Sequence, residues 1–175
     1  MAKIESAGAA EYLEMLKKLT KETDGICKHA VYEGAKVAAD AINEAIDDIT
    51  VHSLPNGAKY YYIKEEEKVG KEHVMLDGVT EAQAKGLHKG LGVAAMQKED
   101  GSWNTKIGFD GYNDVKTKQY PKGQPNALIA RSVESGSTIR NKTPFIAPAV
   151  RKIRKKSENA MQVVIEDSIA ALFDK

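Results

Sequence analysis

The chain has a single cysteine, Cys27, and only one tryptophan and three phenylalanines in 175 residues. One thiol excludes an intrachain disulfide, and such a composition suits a reducing compartment. No apolar stretch approaches the roughly 20 residues that a membrane-spanning helix needs. The start, Met1-Ala2-Lys3-Ile4-Glu5-Ser6, lacks the charged-then-apolar layout of a secretory signal. A cytosolic product is therefore expected. An excess of charge of one sign is missing too: 26 Lys and Arg stand against 25 Asp and Glu, for a net charge of +1. That gives no global attraction to nucleic acid or to anionic membrane, so any such binding must come from a local patch. Internal repeats and low-complexity tracts are also absent.

What is present is an ordinary globular composition, 42% hydrophobic and 29% charged. The length suits one domain, residues 1–175, with its own core. Residues 8–22 have helical spacing, with Tyr12, Leu13, Leu16 and Leu19 on one face. Asp24-Gly25 either ends that helix or only bends it. Residues 25–49 form the clearest helix, with Cys27, Val31, Ala35, Ala38, Ile42, Ala45 and Ile49 spaced by threes and fours. On that stripe Cys27 is expected to be a buried structural thiol. Residues 50–80 read as an insertion or mobile loop. Within it Pro55-Asn56-Gly57 is a hairpin signal and Tyr60-Tyr61-Tyr62 favours a strand.

Thr80 is the expected N-cap of a helix over 81–89, which Gly86 weakens and Gly90 and Gly92 end. Two strands, Leu91 to Gln97 and Ser102 to Phe109, flank the tight turn Glu99-Asp100-Gly101. Asn126 is the expected cap of a helix over 127–135, with Gly136 in the left-handed position after it. A last helix is expected over 148–172, with Pro148 in its first turn and a length of roughly 35–40 Å. The class is α+β: a small antiparallel sheet packed against long helices, including a long C-terminal one.

Motifs with chemical content are few. The four histidines, His29, His52, His73 and His88, do not pair at the spacing of a helical metal site. Cys27 and His29 diverge on a helix, so no nucleophile–base pair forms there. Asp110 to Asp114 lacks the spacing of a calcium loop. Gly86 to Gly92 is neither a phosphate loop nor a dinucleotide fingerprint. No catalytic residue, metal or cofactor is expected. The one dense basic run is Arg151-Lys152-Ile153-Arg154-Lys155-Lys156. It reads as a solvated helix start, or as an alternative nucleic-acid-binding module using Arg151, Lys152, Arg154, Lys155 and Lys156. These cations sit where the helix macrodipole disfavours them, which a partner would explain.

One set of elements is distinctive in its order: Ile129-Ala130-Arg131, Glu134-Ser135-Gly136, Pro144-Phe145 and Pro148-Ala149. This is an acidic residue before a glycine, a short polar stretch, a proline–phenylalanine pair and a second proline opening the last helix. With Gly108-Phe109-Asp110-Gly111-Tyr112, the chain from about Gly86 onward resembles the tail-completion or neck proteins of long-tailed bacteriophages, particularly members from phages and prophages of Gram-positive hosts. Residues 50–80 look longer than that family's pattern.

The resemblance implies a structural virion protein at the head–tail junction, assembled in the bacterial host cytoplasm and without a catalytic step. Its implied partners are itself in a ring, as a hexamer or dodecamer, a connector or stopper protein, and a tail terminator or tail-tube protein. Genomic DNA would pass through the lumen, and no membrane is involved. Contacts are then expected from Arg131, Glu134, Arg140, Lys142, Phe145, Arg151 and Arg154. Gly136, Pro144, Phe145 and Pro148 would form the fold motif.

Overall fold

The structure is a computed structural model that describes residues 9–52 and 76–173. The Asn56-Gly57 hairpin and the strand at Tyr60–Tyr62 expected from the sequence lie outside the described residues. The α+β class is as the sequence indicates: helices dominate, with small antiparallel strand pairs and a long C-terminal helix.

Helix α1 runs unbroken over Ala9–Asp47. Gly25 neither ends nor splits it. A glycine in a helix costs about 1 kcal/mol, and the apolar spacing stays in phase across it through Leu16, Leu19, Ile26 and Ala30. Helix α2, Glu81–Gly90, opens with the expected Thr80 cap, whose hydroxyl accepts from Gln83 N. The Gln83 side chain reaches back to Thr80 N, completing a capping box.

The two expected strands are four short ones: β1 (Leu91–Val93), β2 (Gln97–Glu99), β3 (Ser102–Asn104) and β4 (Ile107–Phe109). β1 pairs antiparallel with β4, Leu91 opposite Phe109, and β2 with β3, Gln97 opposite Asn104. Between the pairs, residues 94–96 face 105–106, one extra residue on the first strand. Such a bulge breaks the ladder and twists it. The outer half closes at Asp100 (φ 49°) and Gly101 (φ 79°), the positive values of a tight hairpin turn.

Helix α3, Asn126–Ser135, has Pro125 as its N-cap rather than Asn126. Asn126 is instead buried, and its Nδ2 donates to Asp110 O at 2.8 Å. A Cβ on Gly86 would lie 2.6 Å from Asn126 Oδ1, and one on Gly90 2.6 Å from its Nδ2. Those two glycines clear room for a buried carboxamide, and α2 stays regular through Gly86. Helix α4, Ile146–Phe173, begins two residues earlier than expected, with Pro148 still in its first turn.

The long helices lie antiparallel. Gly34 of α1 packs on Met161 of α4, and Ser157 Oγ donates to Gly34 O at 2.8 Å. A Cβ at position 34 would come within 2.6–2.7 Å of Met161 side-chain carbons, so glycine sets how closely the axes approach. The core is gathered at one end of this pair. Ile42, Ile46 and Ile49 meet Val79, Leu87 of α2, Ile129 and Val133 of α3, and Phe145 and Ala149 at the start of α4.

Cys27 is exposed, not buried. The buried line of this half of α1 runs through Ala30 and Gly34. It is rotated by about one residue, or 100°, from the stripe that contains Cys27. Farther along, Ile42 and Ile49 are buried as expected, because that half of α1 faces α2 and the strands as well as α4.

Candidate assembly surface

The distinctive segment from α3 to α4 forms one hydrogen-bonded unit. Glu134, in the last turn of α3, turns its carboxylate onto the start of α4. Its Oε2 accepts from Phe145 N at 2.8 Å and Ile146 N at 2.9 Å, and its Oε1 from Ala147 N at 3.1 Å. A helix start presents amides without intrahelical partners and a partial positive charge, and a carboxylate answers both. Gly136 then turns the chain with φ 77° and ψ 170°, a positive-φ extended conformation rather than the left-handed helical one expected. Ser137 N donates to Arg140 O at 2.9 Å, and Thr143 N donates to Val133 O at 2.8 Å, tying the loop back to α3.

Phe145 is 5% exposed and sits edge-tilted to Phe109, ring centroids 6.1 Å apart. Arg140 is 2% exposed, and its Nη2 donates to Gln83 Oε1 at 3.2 Å. These two of the expected contact residues therefore face the interior of their own protomer, and Glu134 is committed to α4. Arg131, Lys142, Arg151 and Arg154 are exposed, as are Pro144 and Pro148. Arg131 and Glu134 edge an open groove of about 280 Å³, whose walls include Ile42, Leu91, Phe109, Ala130 and Ile146.

The basic start of α4 has an intramolecular counterpart. The antiparallel pairing brings the acidic end of α1 beside it, and Glu44, Asp48 and Lys152 share one groove with Phe145 and Pro148. Arg154 Nε donates to Glu158 Oε1 at 3.0 Å. Acidic residues at the end of one helix and basic residues at the start of the other each oppose their own macrodipole. Side by side they offset one another.

Away from the core the long helices form a thin arm. Among the described residues, none from 11 to 29 of α1 and none from 150 to 173 of α4 is buried. Yet this arm carries Tyr12, Leu13 and Leu16 at 61%, 55% and 39% exposure, with Val163 at 53% and Phe173 at 37%. The β2–β3 hairpin reaches it at one place. Asp24 Oδ1 accepts from Lys98 Nζ and from Trp103 Nε1, and the Lys28 Nζ lies 5.2 Å from the centre of the Trp103 ring. The Lys98 hydrogen bond, with that from Trp103, holds the Asp24 carboxyl below its ordinary range against a smaller opposing effect of desolvation. Sequence reasoning missed this latch and the Glu134 cap, because both join residues distant in the chain.

Among the described residues no group of three or more His, Cys, Asp and Glu side chains could hold a metal ion. No helix among them is long and apolar enough to cross a membrane. No protein-family model, no curated protein and no solved structure matches this chain.

Proposed function

We propose that the protein is a structural subunit of the head–tail junction of a long-tailed bacteriophage, acting in several copies in a ring that completes the tail or joins it to the connector. The observation that carries the reading is the Glu134–Gly136–Phe145–Pro148 unit. The elements that resemble the neck family are the ones that weld α3 to α4. The thin arm supports a role in assembly, since exposed large apolar side chains beside an incompletely covered helix pair suit a protein buried among neighbours. The exposed Arg131, Lys142, Arg151 and Arg154 are the polar rim such contacts would use, while Arg140 and Phe145 act by shaping the loop.

The deciding experiment is electron microscopy of phage particles produced with the gene disabled. Separate full heads and tails, or tails with defective head-proximal ends, are expected. Intact infectious particles would overturn the proposal.

A further inference from the structure

Strand β4 is paired on one side only. Its ladder with β1 runs past the strand itself: Ala94 N donates to Lys106 O at 2.7 Å and Asp110 N to Gly90 O at 2.8 Å. In an antiparallel pair, residues that exchange bonds alternate with residues whose N–H and C=O turn away. Positions 106, 108 and 110 therefore turn these groups to β1, and Ile107 and Phe109 turn theirs to the outer edge. Among the described residues nothing bonds to that edge. It borders the open groove of about 280 Å³ that Arg131 rims, which leaves space beside the strand. The side chains alternate with the same period. Lys106, Gly108 and Asp110 are exposed, and Ile107 and Phe109 are half-buried against the core. A Cβ on Gly108 would meet nothing within 4 Å.

An unpaired edge is a template for another strand, and this one is complementary to itself. We propose that β4 pairs antiparallel with β4 of a second copy, about a two-fold axis through Gly108, so that two two-stranded sheets become one. Ile107 of each copy then exchanges backbone hydrogen bonds with Phe109 of the other, which uses the outward groups. Gly108 faces its own counterpart. Lys106 falls opposite Asp110 of the second copy on the same exposed face, in the pair type that brings Cβ atoms within about 4.5–5.5 Å. Asp110 Oδ1 accepts from Gly111 N at 2.6 Å, which leaves Oδ2 for the lysine. On the core face Ile107 lies beside Phe109 of the second copy, apolar against apolar. Parallel pairing would instead set Lys106 beside Lys106. The contact is isologous, so it closes as a pair. Strands this short bury less than the roughly 800 Å² per partner of a standard complex, so the pair is weak and concentration-dependent. The inference stands on the strand alone and does not rest on the neck reading.

Sedimentation velocity on the purified full chain, from about 5 to 500 μM, tests the pairing, and amide hydrogen exchange at the two ends of that range locates it. A monomer–dimer equilibrium is expected. The Ile107 and Phe109 amides should exchange more slowly at the high concentration, while the Gly108 amide, already bonded to β1, is protected at both. Lys106→Asp turns both attractive pairs into repulsive ones. It should weaken the dimer about tenfold or more with an unchanged circular dichroism signal, because Lys106 is exposed. Asp110→Lys should weaken it likewise, and an equimolar mixture of the two variants should pair, since every charge then meets its opposite. Rescue in the mixture is specific to the antiparallel register. If Asp110→Lys alters the circular dichroism, hydrogen exchange on the wild type decides alone. A monomer throughout the range would leave the edge to a strand of some other protein and overturn the proposal. A dimer indifferent to Lys106→Asp, or Ile107 and Phe109 amides indifferent to concentration, would overturn it equally, as would two well-folded variants that fail to pair when mixed.

Discussion

Replacing Glu134 by alanine removes one side chain from the last turn of α3 but acts on α4. The carboxylate accepts three backbone amides at 2.8, 2.9 and 3.1 Å. Loss of an N-cap acceptor costs about 1 kcal/mol, and a negative charge at a helix start adds about 0.3–1 kcal/mol at an exposed site, more when partly buried. Three charge-assisted bonds on a half-buried group place the Glu134→Ala loss at about 2–3 kcal/mol. For a chain of this size that corresponds to a fall in melting temperature of about 5–10 °C. Glu134→Gln keeps the shape and one acceptor oxygen and should lose about half as much. Urea unfolding followed by circular dichroism gives the total. Hydrogen exchange gives the location: Phe145, Ile146 and Ala147 should lose protection while α2 keeps its own. A Glu134→Ala protein within about 0.5 kcal/mol of wild type, or one with unchanged exchange at those three amides, would refute the reasoning.

Three further outcomes are expected. Phe145→Ala should cost about 3–5 kcal/mol in the same unfolding assay, since it empties a core site packed on Phe109; a loss below about 1.5 kcal/mol would show that the loop does not depend on it. Burial first, then the neighbouring Arg140 charge, pushes His52 below its ordinary value of 6.5, with Asp77 opposing. The unfolded chain therefore binds the proton more readily, so this contribution is complete above pH 6.5 and declines as the pH falls below it. His52→Gln should flatten that acid-side slope in pH-dependent unfolding, and an unaltered slope would count against it. Trp103 is the only tryptophan, so its emission reports the latch. Asp24→Asn should red-shift that emission without loss of helix signal. In the wild type the same change should appear only as the pH drops through the lowered Asp24 range, beneath 3.8. Identical spectra for the two proteins would sink the latch.

Local signals were legible. The Thr80 capping box, the Asp100-Gly101 turn, the Gly136 stop and the length of α4 each follow from a few adjacent residues whose side chains act on their own backbone. What was illegible depends on partners far along the chain. Glu134 looks like a surface residue until α4 is placed on it, and Asn126 looks like a cap until Gly86 and Gly90 open a space for its amide. The bulge at 94–96 has no compositional mark. Cys27 was misplaced because helical periodicity gives the existence of an apolar face more reliably than its orientation, which the packing partner decides. Of the expected contact residues, Phe145 was also expected in the fold motif and is indeed buried, whereas only tertiary packing reveals that Arg140 is spent on the protein's own interior.

The union of α1 with α4 has a consequence for how the chain is made. The Ser157–Gly34 hydrogen bond joins residues 123 positions apart, so the two longest helices are the first and last described elements. Contacts of such separation form only after a large loop has closed, which slows folding. Synthesis proceeds from the N-terminus at about 5–20 residues per second. For several seconds α1 must therefore stand with its small-residue groove at Ala30 and Gly34 open, until Met161 has left the ribosome. During that interval no part of α4 is present to cover the groove.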